Sequence, residues 1–262
     1  MPDYQTLLYV LADGVAEITL NRPDSLNAFN DELAAELQTA LKNAERDSNA
    51  RVLLLTGAGK GFCAGQDVSA IRGRPADHSF RDHLLKTFNP VVAKLSTIEK
   101  PVIAAVNGAA VGAGFGLALA CDIRYASENA KFRMAFIGLG LAPDSGTSYT
   151  LPRLIGLGRA LEMAYTNELI DANTALSLGL VNKVFPIADL LAQTRAFALQ
   201  LAGGPTRGYG LTKRAMLHAA GTPLAEALDY EAHLQDIAGR TADHAEGVAA
   251  FLEKRKPNFL GQ

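Results

Sequence analysis

One acidic side chain stands alone behind an apolar run. Between Glu128 and Glu162 the only carboxylate is Asp144, in the stretch Phe136-Ile137-Gly138-Leu139-Gly140-Leu141-Ala142-Pro143-Asp144-Ser145-Gly146-Thr147. A carboxyl group in apolar surroundings keeps its proton to higher pH, which suits proton transfer near neutrality. An Asp that follows Pro is also a common helix cap. Both readings of Asp144 stand at this level.

Two further segments offer backbone chemistry. Thr56-Gly57-Ala58-Gly59-Lys60-Gly61-Phe62-Cys63-Ala64-Gly65-Gln66-Asp67 follows a strand-like run, and its bare N–H groups suit an anion. It is not a phosphate loop, because Lys60 is followed by Gly61 where Ser or Thr is required. Asn107-Gly108-Ala109-Ala110-Val111-Gly112-Ala113-Gly114-Phe115-Gly116 also follows a strand and opens a helix. Its glycines are spaced G-x-G-x-G, and no acidic residue stands about 20 residues on at a strand end, which speaks against a nicotinamide cofactor. A helix start with exposed N–H donors remains. Cys63 reads as a buried small residue. His78, His83, His218, His233 and His244 show no metal-ligand spacing, and no G-x-S-x-G nucleophile motif is present. No metal is expected.

These segments need elements to hold them. Leu7 to Val10 and Val15 to Leu20 predict a hairpin around Ala12-Asp13-Gly14. A helix is expected from a capping Asn30, with Leu33, Leu37, Ala40, Leu41 and Ala44 on one face. Arg51 to Thr56 and Val102 to Val106 read as buried strands, Leu84 to Ile98 as one helix, and Ile123 to Ala126 and Val181 to Phe185 as strands. From Ala188 onward the pattern is helical. Thr222-Pro223 reads as a cap followed by Pro at the first helical position, and Thr241 opens a last helix. The expected organisation is an α/β region over 1–187 and a helical region over 188–262.

Composition narrows the partners. Lys and Arg total 25 against 27 Asp and Glu, so no basic excess marks a nucleic-acid protein. Charged residues are 20% against a usual ~25%, a deficit that points to surface covered by another subunit. Pro101 to Cys121 carries no charge, but its Ala and Gly content reads as strand, turn and buried helix, not a membrane span. Two cysteines and the lack of a leader pattern at Met1 to Val10 lead to a cytoplasmic expectation.

Taken together, the segments resemble the crotonase (enoyl-CoA hydratase/isomerase) superfamily. Asn21-Arg22-Pro23-Asp24-Ser25-Leu26-Asn27-Ala28 is similar to its N-terminal signature. Phe62 to Asp67 and Asn107 to Gly116 are similar to its two oxyanion segments, and Phe251-Leu252-Glu253-Lys254-Arg255 to its CoA-contacting C-terminal helix. The resemblance implies a ClpP-like spiral of ββα turns with a C-terminal helical trimerisation region, in a homotrimer or dimer of trimers. It implies an acyl-CoA substrate, with CoA arriving as part of it and no separate cofactor. The Ala64 and Ala113 N–H groups would hold the thioester oxygen as it becomes an enolate. Gly112 would line the substrate pocket. Arg22, Leu26, Ala64, Gln66, Asp67 and Val68 would flank CoA, and Phe251 and Lys254 would reach it from a neighbouring subunit.

The departures from the family are informative. Its hydratases carry two glutamates, and the matching positions here are Gly116 and Phe136. Water addition needs one group to activate water and one to protonate carbon, so this pair disfavours hydration. The resemblance is strongest to the branch that isomerises ring-1,2-epoxyphenylacetyl-CoA, through Phe88-Asn89-Pro90, Lys131 to Phe136 and Leu139 to Asp144. It implies Asp144 as the base, Asn89 as a partner to substrate or base, and Phe136 as an apolar wall. A Δ3,Δ2-enoyl-CoA isomerisation shares these steps. A hydrolytic reaction with Asp144 as nucleophile needs a His where Asn89 stands.

Overall fold

Asp13 and Gly14 both adopt positive φ, 51° and 81°. That combination matches a two-residue turn to strand twist. It joins β1 (Leu7–Ala12) to β2 (Val15–Leu20) in antiparallel register, with Leu7 opposite Leu20. The computed structural model describes residues 3–71 and 79–262. His78, one of the histidines weighed above, lies outside them.

The hairpin leads into α1 (Asp31–Arg46), where Asn30 accepts the Leu33 N–H at 2.9 Å. Leu33, Leu37, Ala40, Leu41 and Ala44 are all buried, as their spacing requires. Successive turns of a spiral follow. β3 (Val52–Gly57) and β4 (Gly61–Cys63) lead to α2 (Val68–Ile71), α3 (Phe80–Lys86) and α4 (Phe88–Thr97). β5 (Val102–Val106) and β6 (Ala109–Val111) lead to α5 (Ala113–Leu119). β7 (Ile123–Ser127) and β8 (Lys131–Arg133) lead through a 3-10 turn (Phe136–Leu139) to α6 (Thr147–Ile155) and α7 (Leu157–Thr166). β9 (Ile170–Asp171), α8 (Ala172–Ser177) and β10 (Lys183–Phe185) close it.

Each of the three ββ turns gives one strand to each sheet. The larger sheet runs β1-β2-β3-β5-β7-β10, and the smaller runs β4-β6-β8-β9. This is the spiral of ββα turns that the sequence resemblance implies. Every residue of β3 and β5 is buried, as expected for parallel strands covered on both faces. Leu53, Leu55, Val102 and Ala104 face the main core with α1 and α4.

The other face carries Val52, Leu54, Ile103, Ala105 and Tyr125, and α9 (Ile187–Ala202) covers it with Leu190, Ala198 and Ala202. The expected division at 187/188 therefore falls at the start of a helix that packs on the sheet. After α9 come α10 (Thr206–Ala219), α11 (Leu224–Ala238) and α12 (Ala242–Glu253), with α10 packed on α11.

Two expectations need correction. The helix expected over Leu84 to Ile98 is two, broken at Thr87. The Pro90 ring would collide with the Lys86 carbonyl in a continuous helix, and that carbonyl accepts instead from Gln38 Nε2 at 2.9 Å. Thr222 does not cap α11. Its hydroxyl donates to His218 O, and the helix starts at Leu224, after Pro223. Thr241 does cap α12, accepting the His244 N–H at 3.1 Å. No helix among the described residues is long and apolar enough to cross a membrane.

Candidate active site

The first two glycine segments lie backbone against backbone. β4 pairs in parallel with β6, Gly61 opposite Ala109 and Cys63 opposite Ala110. A Cβ on Gly114 would overlap the Cys63 carbonyl, and one on Gly108 would overlap that of Lys60. Gly65 combines close approach with a positive φ. Its φ is 91°, and a Cβ there would stand 2.7 Å from Val111 O and 3.4 Å from Ala113 N. Only glycine lets the two segments meet in front of the Ala113 N–H.

The two expected anion donors are not equivalent. Ala113 opens α5, so its N–H has no intrahelical acceptor, and it makes no backbone hydrogen bond to another described residue. The Ala64 N–H donates to Leu26 O at 3.0 Å. An oxyanion at Ala64 must share or displace that bond. Leu26 is held in a left-handed conformation, φ 51°, by a loop that the buried Asn27 fastens. Asn27 Nδ2 donates to Ala58 O at 2.9 Å and Gly61 O at 2.8 Å, and its Oδ1 accepts the Arg22 N–H at 2.8 Å. Asn27 was not singled out as a site residue. A buried amide with four hydrogen-bonding positions between two loops is a structural signal that spacing does not carry.

The third segment docks one helical turn along α5. Gly116 follows Ala113 by three residues, on the same face and about 4.5 Å along the axis. A Cβ on Gly116 would lie 2.6 Å from Ser145 O and 2.8 Å from Ser145 Cβ. The bare helix thus receives the Asp144–Ser145 turn. α6 begins at Thr147 and no side chain caps it, so the capping reading of the Asp144 carboxylate fails. Only the Asp144 carbonyl serves the helix, accepting Thr147 N at 3.0 Å and Thr147 Oγ1 at 2.7 Å. The carboxylate accepts from Ser145 Oγ at 2.7 Å. Burial pushes the Asp144 carboxyl above the ordinary carboxylate range, and the Ser145 hydrogen bond pulls against it.

Other expected site residues divide into two groups. Asn89 lies in the first turn of α4, and Val92 three residues later packs toward Gly146, so that face of α4 borders the Asp144 turn. Gly112 takes positive φ ahead of Ala113. Phe136 is buried in the main core, next to the site segments in sequence but closed to solvent. Leu26 and Val68 are exposed near the Ala64 segment.

Arg22 and Asp67 are engaged with each other. Arg22 Nη2 lies 2.9 Å from Asp67 Oδ2, and Nη1 donates to Ala28 O. The Ser69 hydroxyl and Arg22 hold the Asp67 carboxyl below its ordinary range. The Gln66 side chain joins Phe29 O to His83 Nε2, which leaves backbone for any CoA contact. Phe251 lies in the last turn of α12 and Lys254 is its C-cap. Cys63 and Cys121 are buried, their thiols pushed up to about 12 by desolvation, so neither is a thiolate nucleophile near neutrality. Among the described residues no three His, Cys, Asp or Glu side chains cluster to hold a metal.

The α/β spiral thus seats the Asp144–Ser145 turn on Gly116, one helical turn along α5 from the Ala113 N–H. The chain belongs to the enoyl-CoA hydratase/isomerase (crotonase) family, whose model matches residues 11–262. It is 45% identical over 251 residues to the 1,2-epoxyphenylacetyl-CoA isomerase of Escherichia coli K12, covering 95% of this chain and 96% of that one. It is 41% identical over 259 residues to a Rhodobacter capsulatus protein named "Probable enoyl-CoA hydratase", covering 99% of each. The solved enoyl-CoA hydratase of Bacillus anthracis superposes with a TM-score of 0.94 at 35% identity, covering 98% of this chain and 100% of that one.

Proposed function

We propose that the chain is an acyl-CoA isomerase working through a thioester enolate, and that it converts ring-1,2-epoxyphenylacetyl-CoA to oxepin-CoA. Asp144 takes a proton from C2 of the acyl group. The Ala113 and Ala64 N–H groups hold the enolate oxygen. The electron pair then drives rearrangement of the epoxide, and a proton is returned to carbon, so the composition does not change. Donors fixed where charge develops are worth roughly 3–4 kcal/mol each in the transition state. The observation that carries this reading is the Asp144 turn seated on Gly116, with a side-chain amide or ring rather than a second carboxylate at Asn89 and Phe136. One carboxylate can shuttle a proton, whereas hydration needs two groups. The similarity to the Escherichia coli isomerase supports the choice of acyl group.

The same residues serve Δ3,Δ2-enoyl-CoA isomerisation as a side activity. Hydrolysis through an Asp144 ester lacks a water-activating base, since Asn89 cannot take that part. CoA enters as part of the substrate, and we expect no other cofactor. We place the enzyme in the cytoplasm as a homotrimer or dimer of trimers. Exposed apolar side chains on the last helices support the assembly, with Leu224 75% and Phe251 83% exposed in the single chain.

The test is incubation with the ring epoxide, a 3-enoyl-CoA and a 2-enoyl-CoA, with products read by mass and ultraviolet spectrum. Isomerisation leaves the mass unchanged. A product heavier by one water from the 2-enoyl thioester, with no turnover of the other two, overturns the proposal.

A further inference from the structure

The turn that carries Asp144 is built around an unusual neighbour. Ser145 is 2% exposed and sits at φ 51°, a region that residues with a side chain rarely adopt. Its main chain is pressed on Gly116, and Thr147 pins the Asp144 carbonyl through both its N–H and its hydroxyl. In this conformation the Ser145 hydroxyl donates to Asp144 Oδ1 at 2.7 Å. Among the described residues no other group hydrogen-bonds the Asp144 carboxylate, and Oδ2 has no partner there. A polar left-handed residue held by tertiary contact, where a glycine would fit more easily, is a place where strain and function coincide.

Resting on the reading of Asp144 as the base, we propose that Ser145 is its positioning residue: the buried hydroxyl fixes Oδ1 and leaves Oδ2 as the single oxygen that takes the proton. The bond does two things. It removes the rotational freedom of the carboxylate, so the basic oxygen keeps one orientation. It also favours the charged form, opposing the burial that raises the Asp144 pKa. Gly116 is the seat that makes this possible. Any side chain there would push Ser145 away and release the carboxylate.

The experiment follows exchange of the C2 hydrogen of phenylacetyl-CoA in deuterated buffer by mass spectrometry, over a pH series. It compares the wild-type chain, Ser145→Ala, Ser145→Gly and Asp144→Asn, with melting temperatures taken alongside. Ser145→Gly is the deciding variant, because glycine accepts φ 51° without strain and its fold is secure. Both Ser145 variants are expected to exchange about 10-fold to 100-fold more slowly. The midpoint of their acid limb should move up by about one pH unit, with KM within about two-fold of wild type. Ser145→Gly should melt no lower than wild type, so activity and stability part company.

A Ser145→Gly variant with the wild-type rate and acid limb overturns the inference, as does a rate loss in both variants with an unmoved limb. In either case an inactive Asp144→Asn shows that the base itself stands. Wild-type exchange in Asp144→Asn overturns the base and Ser145 together.

Discussion

The glycine loops and the last three helices are held together in opposite ways. At the site, backbone meets backbone: Gly65 against Val111 O, Gly114 against Cys63 O, Gly116 against Ser145 O. In the C-terminal region, long side chains make the joins. Arg255 bonds Glu246 through both guanidinium amino groups, at 2.6 and 2.9 Å, and Arg51 reaches Thr206, Gly204 O and Phe259 O. The Asp243 carboxylate accepts the Leu260 and Gly261 N–H groups. The site segments are closed, with Phe62, Cys63, Ala113 and Phe115 buried. The last helices leave Met216, Leu224, Phe251 and Leu252 exposed, and a groove of about 720 Å³ opens beside α6 and α10, lined by Leu119, Tyr149, Tyr209 and Met216. The residues proposed for proton transfer all lie within one chain, whereas the exposed apolar helical surface is where the proposed assembly would place a neighbouring copy.

If that contrast is right, damage to each region has its own signature. The largest effect is expected from Asp144→Asn, which keeps shape and removes the base: about a thousand-fold loss in isomerisation rate, with acyl-CoA binding retained. The raised Asp144 pKa means that the folded chain binds this proton more tightly than the unfolded chain does. Its charged form therefore costs stability at neutral pH, so Asp144→Asn should melt at or above the wild-type temperature by calorimetry.

Gly65→Ala comes next. A methyl group there meets Val111 O and crowds the Ala113 N–H at φ 91°, so kcat should fall about a hundred-fold, with a smaller change in KM in steady-state assays. In the other region, Leu224→Glu should shift the species seen by sedimentation toward the monomer. Phe251→Ala should raise KM for acyl-CoA several-fold at unchanged kcat, because its proposed contact is with the CoA handle and not with C2.

The smallest effect sharpens the roles of Arg22 and Asp67. As a part-buried strut, the pair contributes about 1–2 kcal/mol. Arg22→Ala should lower the melting temperature by a few degrees, and a large rise in KM would instead mark Arg22 as a phosphate contact. Asp67 has a lowered folded pKa. Its contribution is full above the ordinary Asp value and fades as pH falls through the lowered one, so the difference between wild type and Asp67→Asn should vanish in acid.

Much of this was legible in the residues. Asn30, the hairpin turn and the buried strands follow from local rules of capping, φ preference and period, and the structure follows them. Glycine clustering also marks the candidate site's segments: 13 of the 24 glycines fall within 57–65, 108–116 and 138–158. What escaped depends on contacts between distant residues. Ser145 looks like an ordinary turn residue until the fold seats it, in the left-handed region, on the bare backbone of Gly116. Ala64 looks like a free donor until Leu26, 38 residues earlier, accepts its N–H. The sheet-covering role of α9 is invisible in its own pattern, because the apolar face it meets belongs to β3, β5 and β7.

The central claim is that Asp144 forms the enolate, and the most direct measurement is the rate at which phenylacetyl-CoA takes up deuterium at C2. The wild-type chain should catalyse that uptake without adding water or breaking the thioester, and Asp144→Asn should lose it by about a thousand-fold. Uptake at the wild-type rate in Asp144→Asn would contradict the account.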